Sequence, residues 1–329
     1  MIKRIICIIL ALLLCFSLFS CNAEQKGNGK IKILCTLFPQ YDWLRNITKD
    51  SEYIDVSLLI TNGADPHSYQ PTAQDIMNIS TCDVIVFVGG DSDTWVQKAI
   101  ERSKNQTLKS IALTKLDGIT LQNISASSHS HAEGEHAHEH EGHSHGTVDE
   151  HLYLSLHNAI TATEALCDVL CEIDPDGKEL YETNTKEYIN KLSALDSSFK
   201  EDLEKSQKDD AFMLFADRFP FVYLLSDYGI SYSAAFEGCS TDASASFDTV
   251  IRLINEVDEH NAKYVAVTET SDNALARTVI SSTKAKNQQI ITLNSMQSVT
   301  KPQIEKGTTY LSVMKENLNS VRLAIGIKK

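Results

Sequence analysis

Two histidines stand where their neighbours could hold a cation. His67 lies in Gly63-Ala64-Asp65-Pro66-His67-Ser68-Tyr69-Gln70-Pro71-Thr72, with a proline on each side to stiffen the loop. His151 lies in Val148-Asp149-Glu150-His151-Leu152-Tyr153-Leu154, directly after two carboxylates. A lone histidine is as a rule structural. Two neutral imidazoles on loops of one lobe suit a borderline transition metal. Ligation needs the neutral ring, so metal affinity should fall as pH drops through the histidine range. Between the two motifs, residues 125–147 hold seven more histidines, His129, His131, His136, His138, His140, His143 and His145, interleaved with Glu133, Glu135, Glu139 and Glu141. This stretch has no apolar periodicity and reads as a mobile loop. Many identical ligands on such a loop give weak, exchangeable sites, because each binding event must order the chain. It could collect metal for a tighter site, or it could be a solvated acidic loop that binds metal adventitiously.

The surrounding elements must position these residues. Ile31 to Thr36, Val56 to Ile60 and Val84 to Val88 are apolar runs that suit parallel strands buried on both faces. Helix-like stretches, Tyr41 to Thr48 and Thr72 to Ser80, alternate with them, and Thr72 with Asp75 resembles a capping box with a shorter acid. That alternation indicates an α/β lobe, residues 31–175. From 176 to 208 apolar residues (Leu180, Tyr181, Tyr188, Leu192, Leu195, Phe199 and Leu203 among them) recur every three or four positions. This predicts one long amphipathic helix, on the order of 45 Å, joining two lobes. A second α/β lobe, 209–329, follows: strands at 211–215, 230–236, 264–267 and 290–293, and helices at 221–227, 246–260, 273–283 and 309–325. The fold class is therefore α/β, with a parallel-type sheet in each lobe. In an α/β sheet, the loop that carries His67 falls at the C-terminal edge of the strands, where ligands bind.

The N-terminus reads as an address. Lys3 and Arg4 precede an apolar stretch from Ile5 to Phe19, so residues 1–20 form a secretory signal. Its end, Leu18-Phe19-Ser20-Cys21, resembles a bacterial lipobox, which places a lipid on the Cys21 sulfur; an ordinary cleaved signal with a chance cysteine is the alternative. Residues 21–30 are polar and suit a tether from the membrane surface. The remaining cysteines, Cys35, Cys82, Cys167, Cys171 and Cys239, are odd in number, so at least one stays unpaired. Cys35 and Cys82 each sit beside a predicted strand and could pair. Cys167 and Cys171 share a helix and could read as a metal pair, although cysteine is more often simply buried.

The two histidine motifs, the lipobox, the insert between the motifs and the long linking helix together resemble the zinc- and manganese-binding lipoproteins of bacterial ABC importers, the cluster A-I solute-binding proteins. Their first motif, G-x-(D/E)-P-H-x-(Y/F)-x-P-(T/S), is matched by Gly63 to Thr72. Their second, D-x-H-x-W-L, is matched by Asp149 to Leu154 with Tyr153 in place of Trp. The resemblance implies a metal cleft between the lobes, with His67 and His151 as the first-lobe ligands. Two more ligands are implied from the second lobe, and there the chain departs from the family. The third position, counted back from Tyr228-Gly229, holds Arg218, which cannot ligate a cation, beside Asp217, which could. The fourth looks like Asn294, a weaker neutral donor. Glu269 matches a family glutamate near the cleft, unless it forms an ion pair with Arg218. The second-lobe candidates are thus Asp217 and Glu269, then Asn294.

What the resemblance implies is capture of Zn2+ outside the membrane and delivery to an ABC permease and its ATPase by a monomeric, lipid-anchored protein. Imidazole favours zinc, and Mn2+, which prefers oxygen donors, is the alternative cargo. A metal-binding surface adhesin or zinc-storage lipoprotein is the alternative use of the same fold. The chain carries 30 Lys and Arg against 44 Asp and Glu in 329 residues, a formal net charge of −14, which argues against a nucleic-acid partner. It has no H-E-x-x-H, and its one G-x-S-x-G, Gly142 to Gly146, falls in the low-complexity insert and not at a strand-to-helix turn, so the reading is not an enzyme.

Overall fold

A computed structural model describes residues 29–123, 148–206, 211–237 and 245–327. The signal 1–20, Cys21 and most of the tether, the histidine-rich stretch with His129, His131, His136, His138, His140, His143 and His145, and Cys239 lie outside the described residues.

The first lobe runs β1 (Ile31–Cys35), α1 (Phe38–Ile47), β2 (Ile54–Leu58), α2 (Ala73–Thr81), β3 (Val84–Phe87), α3 (Thr94–Arg102) and β4 (Lys109–Ala112). All four strands are parallel, in the order β2-β1-β3-β4. The apolar run of β3 is buried along its whole length, as a strand covered on both faces must be. Helix α1 begins three residues earlier than the expected Tyr41. Pro39 suits its first turn, and the Gln40 side chain accepts the Leu37 N–H at 2.9 Å. Helix α2 starts at the expected capping box: Thr72 Oγ1 accepts the Asp75 N–H at 3.2 Å, and Asp75 Oδ2 accepts the Thr72 N–H at 2.7 Å. The sequence reading missed α3 and β4. Strand β4 is four residues with one buried side chain, Ile111, too short for a periodic signal.

Helix α4 (Leu156–Ile173) and a 3-10 turn at Pro175–Gly177 lead into α5 (Lys178–Ser206), the long connector. It starts two residues after the expected 176 and is described as far as Ser206. Pro175 belongs to the turn, and residues 207–208 are not among those described. Its buried face carries Tyr181, Tyr188, Leu192 and Phe199, the periodic positions of the sequence.

The second lobe runs β5 (Phe212–Phe219), α6 (Val222–Ser226), β6 (Ser231–Glu237), α7 (Phe247–Glu259), β7 (Tyr264–Thr268), α8 (Ala274–Ser282), β8 (Gln289–Leu293), α9 (Lys301–Glu305) and α10 (Tyr310–Ala324). Its parallel sheet, β6-β5-β7-β8, repeats the strand plan of the first lobe. One hydrophobic core runs through both lobes and the connector, and a smaller one (Leu214, Leu253, Val257, Val265, Val267, Val279 and neighbours) lies under α7 and α8. Where α1, α5 and α10 meet, Asp42 Oδ2 accepts from the Tyr310 N–H at 3.1 Å and the Tyr188 hydroxyl at 3.2 Å. The lobes therefore share packing as well as a linker.

Cys35 and Cys82 are both buried free thiols, so the pairing considered above is absent; Cys167 and Cys171 are also free. Among the described residues no helix is long and apolar enough to cross a membrane.

Candidate metal centre

The first-lobe motif folds as a short, pinned loop. Asp65 Oδ1 accepts the His67 N–H at 3.0 Å and starts a 3-10 turn, Pro66–Ser68. Tyr69 donates its hydroxyl to Asp75 Oδ2 at 2.8 Å, tying the loop to the capping box of α2. Gly63 has φ +74°, and a Cβ there would come within 3.1 Å of Thr300 Cγ2 and 3.3 Å of the Ser298 carbonyl. The motif glycine thus lets the first-lobe loop approach the second lobe.

The second motif places His151 almost fully buried, in front of a 3-10 turn, Leu152–Leu154. Asp149 Oδ1 accepts the His151 N–H at 2.8 Å and sits 2.9 Å from His151 Nδ1. A carboxylate only accepts, so Nδ1 carries the ring proton and Nε2 presents its lone pair. The rings of His67 and His151 lie 5.6 Å apart, centroid to centroid. More acids stand behind them. Burial pushes Asp93 up to about 6, bonds from the Gly89 and Val88 N–H groups pull it down, Glu150 raises it, and His67 lowers it. His67 therefore sits in the field of Asp93. Glu150 accepts from the Ser92 N–H at 2.7 Å and bonds the Ser92 hydroxyl.

The second lobe closes the site with loops that leave the C-terminal ends of β5, β7 and β8, as expected for ligand sites on parallel sheets. Strand β5 has a register shift between Phe215 and Arg218, a bulge of the kind that re-aims side chains beside sites. Arg218 reaches across to Asp65, with Nη1 2.7 Å from Oδ2. Arg218 thus pairs with Asp65 and not with Glu269, as the sequence reading had allowed.

Gln297 was missed altogether. Its Nε2 lies 2.9 Å from His67 Nε2 and 2.8 Å from His151 Nε2, so it joins both first-lobe histidines to the second lobe. The sequence signal was thin. Gln297 follows the last strand by four residues, and glutamine is not among the residue types that ordinarily hold zinc.

The structure brings His67 and His151 together. The three second-lobe candidates make other bonds. Asp217 Oδ2 accepts from the Thr268 N–H at 3.0 Å and the Thr268 hydroxyl at 2.7 Å, and its Oδ1 takes the Arg218 N–H. Asn294 Oδ1 accepts the Met296 N–H at 2.8 Å, which holds Met296 at φ 61° and turns the loop toward Gln297. Glu269 takes the Ser295 N–H and hydroxyl, both at 2.8 Å, and the Ser298 hydroxyl at 3.0 Å. Glu269 also lines a cavity of about 170 Å³ with Gly63, Asp65, Arg218, Gln297 and Ser298. Among the described residues no three of His, Cys, Asp and Glu are gathered closely enough to hold an ion. What the cleft offers is two oriented imidazoles, an amide between them and a carboxylate on the adjoining wall.

Comparison with known proteins places this geometry in context. Residues 33–324 match the family model described as zinc-uptake complex component A periplasmic, ZnuA. The chain is 33% identical over 307 residues to the high-affinity zinc uptake system protein ZnuA of Bacillus subtilis (strain 168), covering 93% of this chain and 91% of that protein. It is 32% identical over 317 residues to the zinc-binding lipoprotein AdcA of Streptococcus pneumoniae serotype 4, covering 96% of this chain but only 60% of AdcA. Among solved structures, the metal-dependent lipoprotein YcdH from Bacillus subtilis is similar, with a TM-score of 0.72 and 27% identity over 90% of this chain and 100% of that one. Zn(II)-bound AdcA from Streptococcus pneumoniae is similar at a TM-score of 0.70 and 29% identity, over 90% of this chain and 58% of that one.

Proposed function

We propose that this chain, which belongs to the family of zinc-uptake complex component A periplasmic proteins, captures Zn2+ outside the cytoplasmic membrane and delivers it to an ABC-type importer. The observation that carries this reading is the convergence of His67 Nε2 and His151 Nε2 on one small group at 2.9 and 2.8 Å, with Asp149 fixing the tautomer of His151. Two neutral imidazoles with a carboxylate behind one of them form the nitrogen-rich half of a zinc site. The nitrogen donors favour zinc over manganese.

In this reading His67 and His151 are the first-lobe ligands. Glu269 is the best-placed second-lobe carboxylate because it shares a cavity with Gln297. Asp217 and Asn294 rank below it, since their oxygens already hold Thr268 and Met296. Ligation by Glu269 requires it to loosen its serine bonds, and water completes the coordination. Cargo of this kind is bound and released unchanged, so the role is transport and not catalysis.

The partners are the permease and ATPase of the importer. The membrane contact is a lipid on Cys21, with 21–30 as tether. The histidine-rich stretch 125–147 serves as a low-affinity collector: removing 129–145 should leave the tight site intact and lower the number of zinc ions bound.

The deciding experiment is a competitive zinc titration of the mature chain with His67→Ala and His151→Ala, each alone. Loss of the tight site in both variants supports the reading. Wild-type affinity in both would refute the site.

A further inference from the structure

The group that both histidines face is an amide, and its chemistry is constrained. Asp149 holds the Nδ1 proton of His151, so His151 Nε2 must receive a proton from whatever stands against it. The primary amide nitrogen of Gln297 has two hydrogens and stands 2.8 Å from His151 Nε2 and 2.9 Å from His67 Nε2. One N–H can serve each imidazole. The amide oxygen points to the other side, 3.3 Å from Ser295 Oγ, which itself donates to Glu269. The amide thus has its donor end toward the two lone pairs that a cation needs.

We propose that the Gln297 amide is a built-in stand-in for the cation: it occupies the ion's position when the protein is empty and is displaced when zinc loads. The proposal rests on the reading of His67 and His151 as zinc ligands. A cation and an N–H pair both present positive charge to the same two nitrogens, so they exclude each other there. The histidines belong to the first lobe, and Gln297 follows β8 in the second. The stand-in therefore also ties the lobes together in the absence of metal. Glutamine serves where a carboxylate would not, because a carboxylate is an acceptor and would repel the two lone pairs.

Two consequences follow for uptake. Zinc must compete with two neutral hydrogen bonds, which sets affinity about tenfold below that of the open histidine pair. After release to the importer, the amide can close over the imidazoles and disfavour recapture.

The test uses the mature chain with Gln297→Ala and the near-isosteric Gln297→Met, titrated with zinc against a chelator strong enough to read only the tightest site. Both variants should bind zinc about tenfold more tightly than wild type. Both should melt lower than wild type when metal-free and alike when zinc-loaded. Weaker binding in both variants would show that Gln297 is a zinc donor, and unchanged binding that it is a bystander; either result overturns the proposal. His67→Ala, measured in parallel, separates the two readings. If it keeps the tight site, the metal-site reading fails, and the stand-in falls with it for that reason alone.

Discussion

Asp149 Oδ1 lies 2.9 Å from His151 Nδ1 and accepts the backbone N–H of the same residue at 2.8 Å. One oxygen thereby sets both the position of the His151 backbone and the tautomer of its ring. The side chains are nearly sealed from solvent, at 3% and 2% exposure, so water cannot substitute for this contact. Asp149→Asn offers no anionic acceptor and lets the ring take the other tautomer. Zinc affinity should fall about 10- to 100-fold while the fold is retained. Titration alongside a circular dichroism melt checks this, and an affinity within twofold of wild type would remove Asp149 from the site.

Arg218 brings a positive charge into a cleft that is to hold a cation. Its ion pair with Asp65 is 42% and 34% exposed, so breaking it should change stability by less than about 1 kcal/mol. The effect on zinc should be larger and of opposite sign. Arg218→Met removes a repulsive charge and frees Asp65, so affinity should rise about three- to tenfold at low ionic strength. That gain should shrink at about 0.5 M salt as the charges are screened. A gain independent of salt would point to a steric cause.

Asp42 makes stability depend on pH. Burial pushes it from 3.8 to about 6, while bonds from the Tyr310 N–H and Tyr188 hydroxyl and the charge of Arg45 pull the other way. Its folded value lies above its unfolded one, so between the two the native state holds more protons. The stabilisation is present below about pH 4 and is lost as pH rises through about 6, by about 3 kcal/mol at most. Asp42→Asn keeps an oxygen for Tyr310 and Tyr188 without the charge. Urea midpoints for the two proteins should be close at pH 4, and the variant should be the more stable at pH 7. A constant difference across that range would contradict the assignment.

Zinc loading should change the shape of the protein little. The lobes are joined by α5 and also by direct bonds around the cleft. The Lys301 N–H donates to the Thr61 carbonyl at 3.0 Å, the Tyr310 hydroxyl to the Tyr153 carbonyl at 2.8 Å, and the Tyr223 hydroxyl to the Asp149 carbonyl at 2.7 Å. A hinge opening would break all of these together. Small-angle scattering with and without zinc should give radii of gyration within about 1 Å, against the larger change of a clam-shell closure.

The sequence by itself determined most of the elements and marked the two histidine motifs. The apolar run at Val84, the capping box at Thr72 and Asp75, and the spacing of Tyr181, Tyr188, Leu192 and Phe199 are local patterns, and local backbone preference is enough to read them. His67 and His151 were legible because each sits in a short contiguous motif, and in each the Asp two residues before holds the histidine N–H, a contact local to the motif. The tertiary structure alone decided what faces those histidines. Arg218 meets Asp65 across 153 positions, and Gln297 meets His67 across 230. No periodicity encodes contacts between residues so far apart. They follow from two sheets presenting their C-terminal edges to one cleft, from a bulge in β5 that turns Arg218, and from the Asn294–Met296 turn that aims Gln297.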